Sequence, residues 1–364
     1  MFSLSRLVAV GMLLVAAGGC QGVPPGVPPT IAQGDYDAVV GYLAARIPYD
    51  MNASSVPGLS IAIVDDQRVV WSTGFGYADP LRHRSATSDT LYRVGAITKI
   101  VTAAGVLRAA DDGRLALDQP ASQALPDWDI QPRRGAMQWL GAHPFTARNL
   151  LGVHPYSLED TMGRARADMA YALLGDMVAH VAREPFDTYV RRTILQPLNM
   201  PRSGFHPSPR MLELRAAGYR GGEPWTEAPQ PNETADGLWL STSEMARFSS
   251  MLFGDGLFQG RRVLNAESAR AVLDLETVDD GLALDCRFAL SWLAAPCGED
   301  VAGVSLRQHS GATEAFHSRF VLAPRDKLAV LVMSNSDTSE PLVASVSAMA
   351  MTLMRQAKQS AITQ

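Results

Sequence analysis

Two blocks of strand-like sequence stand at opposite ends of the chain, and one core can form only if they meet. Near the N-terminus, GLSIAIV (58–64) and RVVWSTGFGY (68–77) flank Asp65, Asp66 and Gln67 in the pattern of a β-hairpin. Near the C-terminus, FALSWL (288–293), SRFVLA (318–323) and KLAVLVMSN (327–335) read as further strands. The sequence between them is mainly helical. An alanine-rich helix is expected from Ile97 to Asp112, ended by Gly113. Another is expected over roughly 168–183, and STSEMARFSSMLFG supplies a serine cap with Glu244 in the first turn of a third. Helical spacing over 35–47 precedes the first strand, and a closing helix runs from about Pro341 to Lys358. The expected fold class is α/β of the α+β kind. An antiparallel sheet is built from N- and C-terminal strands and flanked by helices, with a mainly helical insertion at about 115–280.

Composition permits this. With 364 residues, 47% of them hydrophobic and 19% charged, the chain can bury one large core or two subdomains. Its net charge of -5 and the lack of any basic run imply neither nucleic acid nor an anionic membrane surface as a partner.

The N-terminus has a different character. Arg6 precedes LVAVGMLLVAAGG, an apolar stretch too short to span a bilayer that stops at Cys20. Residues 1–19 read as an export signal, and small residues before Cys20 resemble a bacterial lipobox, although Ala17 stands where leucine is usual. The expectation is lipidation of Cys20 and residence in the periplasm or cell envelope; cleavage of an ordinary signal peptide is the alternative. Residues 20–34, rich in proline and glycine, read as a tether, residues 35–358 as the folded domain and 359–364 as a tail.

Cys286 and Cys297 bracket RFALSWLAAP. As one straight strand at about 3.3 Å per residue, that segment holds its ends about 30 Å apart, which predicts two free thiols. The seven histidines are scattered without paired ligand spacing, and G-x-G in TGFGYAD lies within a hairpin strand, so no metal or cofactor is expected.

The element order, together with YRVGAITK, DDGRLALDQP, YALLGDMVAHVA, ILQPLNMPRSGF, DGLWLSTSEMARF and RQHSGATEAFHSRFVLAPRDKLAVLVMSN, resembles the serine β-lactamase and penicillin-binding-protein superfamily. The similarity covers about residues 36–356. It is greatest to the branch that holds class C β-lactamases, D-amino-acid peptidases and related esterases. That resemblance implies three converging motifs: a Ser-x-x-Lys nucleophile at a helix start, a Tyr-x-Asn that helps deprotonate it, and Lys or His, a small residue and Gly on an edge strand.

Two of the three are altered here. The first motif keeps Lys99 but has Ala96 in place of serine, and a methyl group cannot form an acyl-enzyme. Thr98 offers no substitute, being about 200° around the helix from Ala96 where Lys99 is about 60°. Anchored on YALLG at 171–175, the second motif falls on Arg166, Ala167 and Asp168. Tyr156 in HPYSL is a weaker alternative, with no asparagine two positions on. The third motif survives as His309, Ser310 and Gly311, where Gly311 admits a close ligand approach; a merely hydrogen-bonded histidine at a strand end is the alternative reading of His309.

The reading that follows is an exported, non-hydrolytic member of the superfamily that binds a small molecule, a peptide or an envelope partner in its old cleft. Membrane contact comes by lipid anchor only, and nucleic acid is not a partner. Two alternatives stand beside it: an active β-lactamase, peptidase or esterase with a rearranged site, and a structural lipoprotein whose cleft its own side chains fill. If the old geometry persists, Lys99, Arg166 and Asp168 gather, with Asp168 on Lys99 and Arg166 turned elsewhere.

Overall fold

The computed structural model describes residues 31–125, 146–153, 161–226, 232–273, 287–289, 292–294 and 306–359, with positions 26, 28, 30 and 228 besides. The cysteines, Tyr156 and the export segment lie outside these residues.

The strands are β1 (Gly58–Asp65), β2 (Arg68–Asp79), β3 (Arg84–Ser85), β4 (Tyr92–Arg93), β5 (Gly218–Arg220), β6 (Glu223–Trp225), β7 (Trp239–Leu240), β8 (Leu257–Phe258), β9 (Arg261–Arg262), β10 (Arg287–Ala289), β11 (Trp292–Ala294), β12 (Arg307–Ala312), β13 (His317–Ala323) and β14 (Leu328–Ser334). The helices are α1 (Tyr36–Ala53), α2 (Thr98–Asp111), α3 (Ala121–Ala124), α4 (Ala147–Leu151), α5 (Thr161–Ala182), α6 (Phe186–Val190), α7 (Pro209–Leu214), α8 (Glu233–Asp236), α9 (Thr242–Phe253), α10 (Ala266–Leu273) and α11 (Glu340–Gln359).

The two ends of the chain do meet. β1 pairs with β14 from Leu59↔Ser334 to Asp65↔Leu328, and the sheet runs β10-β11-β12-β13-β14-β1-β2-β3 with every pairing antiparallel. The central strands carry almost unbroken apolar sequence because both faces are covered. Leu59, Ile61, Ile63, Val330 and Val332 pack toward α1 and α11, while Ala62, Val64, Leu331 and Met333 join the core around α2, α5 and α9.

Four local expectations change. FALSWL is not one strand: β10 and β11 pair antiparallel with Arg287 opposite Ala294, so the straight-strand premise of the thiol argument falls, while Cys286 and Cys297 themselves lie outside the described residues. The helix expected over 168–183 starts at Thr161. His309, Ser310 and Gly311 lie inside β12, so His309 is not at a strand end. Finally, α1 continues past the expected end at 47, through Pro48 to Ala53. A helix-interior proline costs about 3 kcal/mol; burial of Ile47 and Met51 on the same face as Val39 and Leu43 offsets it.

Candidate functional site

The site begins with a tight backbone turn. Gly95 has φ +53, a conformation that favours glycine, and Gly95–Ile97 forms a 3-10 turn feeding α2. This turn lies directly on β12: a Cβ on Gly95 would sit 2.8 Å from the Ala312 nitrogen, and one on Gly311 would sit 1.8 Å from the Val94 carbonyl oxygen. Ser318 Oγ donates to that carbonyl at 2.9 Å and ties β13 to the same turn. The close approach that Gly311 permits is therefore made by the chain's own backbone at Val94. Thr98 faces elsewhere, its Oγ1 accepting from Leu238 N at 3.2 Å.

One turn past Ala96, the Lys99 side chain is 5% exposed, and its Nζ donates to Asp168 Oδ1 at 2.6 Å. The Ala235 carbonyl accepts from it at 3.4 Å, and the Tyr171 ring centroid lies 6.0 Å away. The contact expected between Asp168 and Lys99 is present.

Its frame is a close packing of α2, α5 and α8. Thr102 Oγ1 donates to Thr234 O at 2.7 Å, and Thr234 Oγ1 donates to Tyr171 O at 3.0 Å. A Cβ on Gly175 would fall 2.5 Å from Thr234 Cγ2, so a side chain there would push α8 away.

Arg166 and Asp168 both lie within α5 rather than in a loop. Two helical residues apart means about 200° of rotation, so only one of them can face Lys99. Asp168 takes that place.

β12 divides the third motif. Alternation along a strand sends His309 and Gly311 to the side of the Val94–Ala96 turn and Ser310 to the opposite face. His309 is buried, with Nδ1 3.0 Å from Ser310 O. Ser310 and Gly311 both line a cleft of about 190 Å³ with Arg164, His317, Arg319 and Glu340. Arg319 is held there by Gln308 Oε1 at 2.7 Å and lies 3.8 Å from Glu340. The sequence reading missed Ala235, Tyr171, Arg164, Arg319 and Glu340 as neighbours of the site. The pairing of Ser310 with Arg319 carries the one signal that a register argument could have used. Among the described residues, no group of three His, Cys, Asp or Glu side chains is placed to hold a metal ion.

The β-lactamase family profile matches residues 43–348, most of the chain. The chain belongs to the β-lactamase family. Among related proteins, Protein flp of Staphylococcus aureus strain N315 is 24% identical over 226 residues, which is 54% of this chain and 45% of that protein. This chain thus spans about half the length of that relative. An uncharacterised protein of Mycobacterium tuberculosis is 23% identical over 273 residues, 60% of this chain and 68% of its own. Among solved structures, the octameric penicillin-binding protein homologue from Pyrococcus abyssi superposes with TM-score 0.67 at 24% identity, covering 88% of this chain and 78% of that one. The class C β-lactamase from Rhodobacter sphaeroides gives 0.67 at 18% identity, covering 86% and 99%. The D-alanine carboxypeptidase AmpC from Burkholderia cenocepacia gives 0.68 at 17%, covering 87% and 99%. At these identities the structural likenesses establish the shared fold.

Proposed function

We propose that this family member binds a ligand or envelope partner along the outer edge of β12 without hydrolysing it, and that it does so outside the cytoplasm, anchored by a lipid on Cys20. The observation that carries the first part is the ion pair beside Ala96. An ammonium held 2.6 Å from a carboxylate has no lone pair with which to accept a proton. The side chain one turn before it is a methyl group, with no proton to give.

Loss of a serine nucleophile alone lowers turnover by about a million-fold in a well-studied protease, and further losses in the same unit add little. The replacement of the tyrosine and asparagine is thus support of another kind. It shows a site changed at several positions, where a single inactivating substitution would have changed one.

The neighbours named as a β-lactamase and a D-alanine carboxypeptidase support the old cleft as the place of binding. Among the described residues, no strand covers the outer edge of β12 beyond Gln308.

Intact-protein mass spectrometry after exposure to a penicillin and to a fluorophosphonate tests the reading. The mass should be unchanged. A stoichiometric adduct would overturn it, and the adducted residue would identify the nucleophile. Radiolabelled palmitate should enter the wild-type chain in a bacterial host and not Cys20→Ser; equal labelling of the two removes the anchor.

A further inference from the structure

The two ends of the sheet differ in chemistry. β1 runs from Gly58 to Asp65, where Asp65 lies opposite Leu328 and Leu328 opposite Ala323. Ala312, opposite His317, lies at the other end with Ser334. Six residue steps separate the two ends, about 20 Å along the strands. The chain arrives at the end away from the cleft: Gly34 N donates to Ala357 O at 2.9 Å, in the last turn of α11, and Lys358 Nζ reaches Asp65 Oδ1 at 2.5 Å.

Three turns meet there. Asp66 N donates to Lys327 O at 2.7 Å, which joins the β1–β2 turn to the β13–β14 turn. A Cβ on Gly254 would lie 3.2 Å from Gln67 Oε1, so the β8–β9 ribbon stands alongside. Most carboxylates at this end are engaged. Asp65 holds Lys358 and Tyr36, Asp66 pairs with Lys327 at 3.4 Å, and Asp255 pairs with Arg270 at 3.0 Å. Asp326 pairs with Arg355 at 2.8 Å, and Asp35 caps α1.

The arginines are left over. Among the described residues, Arg68, Arg261, Arg262 and Arg325 are exposed and none forms an ion pair. Arg68 stacks 5.1 Å from the Tyr36 ring centroid, and Arg262 donates to the Asp255 carbonyl at 3.2 Å with the Asp255 carboxylate in Coulombic reach. Asp37 lies in the first turn of α1, and beyond β9 Asp111 accepts from Asn265 N at 2.7 Å while Asp112 pairs with Arg108 at 2.9 Å. Val69, 43% exposed, follows Arg68 in sequence, and Leu257, 36% exposed, lies opposite Arg262.

We propose that this end of the molecule docks on an anionic phospholipid surface, with the β12 cleft directed away from it. A chain of net charge -5 has no basic run to advertise such a face. The turns create it by bringing together arginines from three distant segments, and the two exposed apolar side chains can enter the headgroup layer beside them. The occupant follows from where the chain leaves the domain, since Gly34 lies on this end. The geometry rests on the Cys20 anchor proposed above, which would hold this face at a bilayer; the binding itself does not.

The test uses the chain from residue 20 with Cys20→Ser, which carries no lipid, and vesicles of phosphatidylglycerol or phosphatidylcholine. Cosedimentation is expected with phosphatidylglycerol alone, and it should be released at about 0.5 M salt, where the Debye length has shrunk to a few ångströms. An arginine near an anionic leaflet is worth about fivefold in partitioning, so the double variant Arg261→Gln/Arg325→Gln should lose about 25-fold. Val69→Ser/Leu257→Ser should weaken binding as well. All four side chains are exposed, so an unchanged melting temperature confirms the fold. Equal partitioning onto both lipids, or phosphatidylglycerol binding that the arginine variant leaves intact, overturns the proposal. A failure to label Cys20 with palmitate sinks the anchor and leaves this face standing.

Discussion

Two buried charges tie distant parts of this chain together, and they are finished in different ways. Glu244, fully buried in the first turn of α9, accepts from Ser203 N at 2.9 Å, Ser203 Oγ at 2.5 Å and Arg202 Nε at 3.0 Å. Arg202 continues to Asp89 at 2.8 Å, and Ser243 Oγ reaches the same carboxylate at 2.6 Å. Lys99 is nearly as buried, but its partner Asp168 keeps 27% of its side chain exposed. The first arrangement fixes the turn at 201–204 against α9 through several donors on one carboxylate, while Arg202 and Asp89 keep 27% and 43% of their side chains exposed. In the second, a single carboxylate holds the ammonium, and water reaches that carboxylate. Exposure is alike in the two, 27% for Arg202 and for Asp168, so what separates them is the number of partners converging on the buried group.

That contrast can be broken at its strong end first. Glu244→Ala should cost about 3 kcal/mol in denaturant unfolding, because the half-buried Arg202 guanidinium and two Ser203 donors lose a fully buried acceptor. A loss under about 1 kcal/mol would show that backbone packing alone holds the turn. Asp168→Ala should cost about 2 kcal/mol, below the range for a fully buried pair because water already reaches its carboxylate. A change within about 0.5 kcal/mol would place the pair at the surface.

The pH dependence of Asp89 sharpens the comparison from the side of the first arrangement. Burial by itself raises its pKa, and the Ser243 hydroxyl and the Arg202 guanidinium outweigh burial, so the carboxyl is held below its ordinary value. A depressed carboxyl stabilises the fold above the unfolded pKa of about 4, and that stability is lost as pH falls through the folded value. Asp89→Asn should therefore lower the melting temperature at neutral pH, and the deficit should shrink as pH falls below about 4. A deficit of constant size across that window would assign its role to shape rather than charge. The smallest expected effect belongs to Ala96→Ser, which should leave hydrolysis at background because its hydroxyl meets a lysine already held by Asp168, and the nearby Tyr171 hydroxyl donates to Leu151 O instead. Strong turnover by that variant would show that the ion pair opens readily.

Much of this was legible in residues. Strand-like runs at 58–64 and 327–335 are apolar enough to demand cover on both faces, and they pair as the central strands β1 and β14. The Lys99–Asp168 contact followed from charge alone, since a buried lysine needs an acceptor. FALSWL failed because periodicity cannot show where a run folds back on itself, and the split into β10 and β11 depends on pairing with β12. The early start of α5 was hidden because helix boundaries are set by what the first turns pack against.

The sequence by itself determined the family, the separated halves of the sheet and a methyl group at Ala96 one turn before Lys99, since each is written in the identity of residues at fixed spacing. Tertiary structure alone decided which of Arg166 and Asp168 meets Lys99. A helix turns 100° per residue, and only the packing of α5 on α2 selects the inward face. It also decided that Gly311 admits the Val94 carbonyl, and that arginines from three distant turns share one end of the sheet. Proximity between segments far apart in sequence is a property of the folded chain, and no local pattern encodes it.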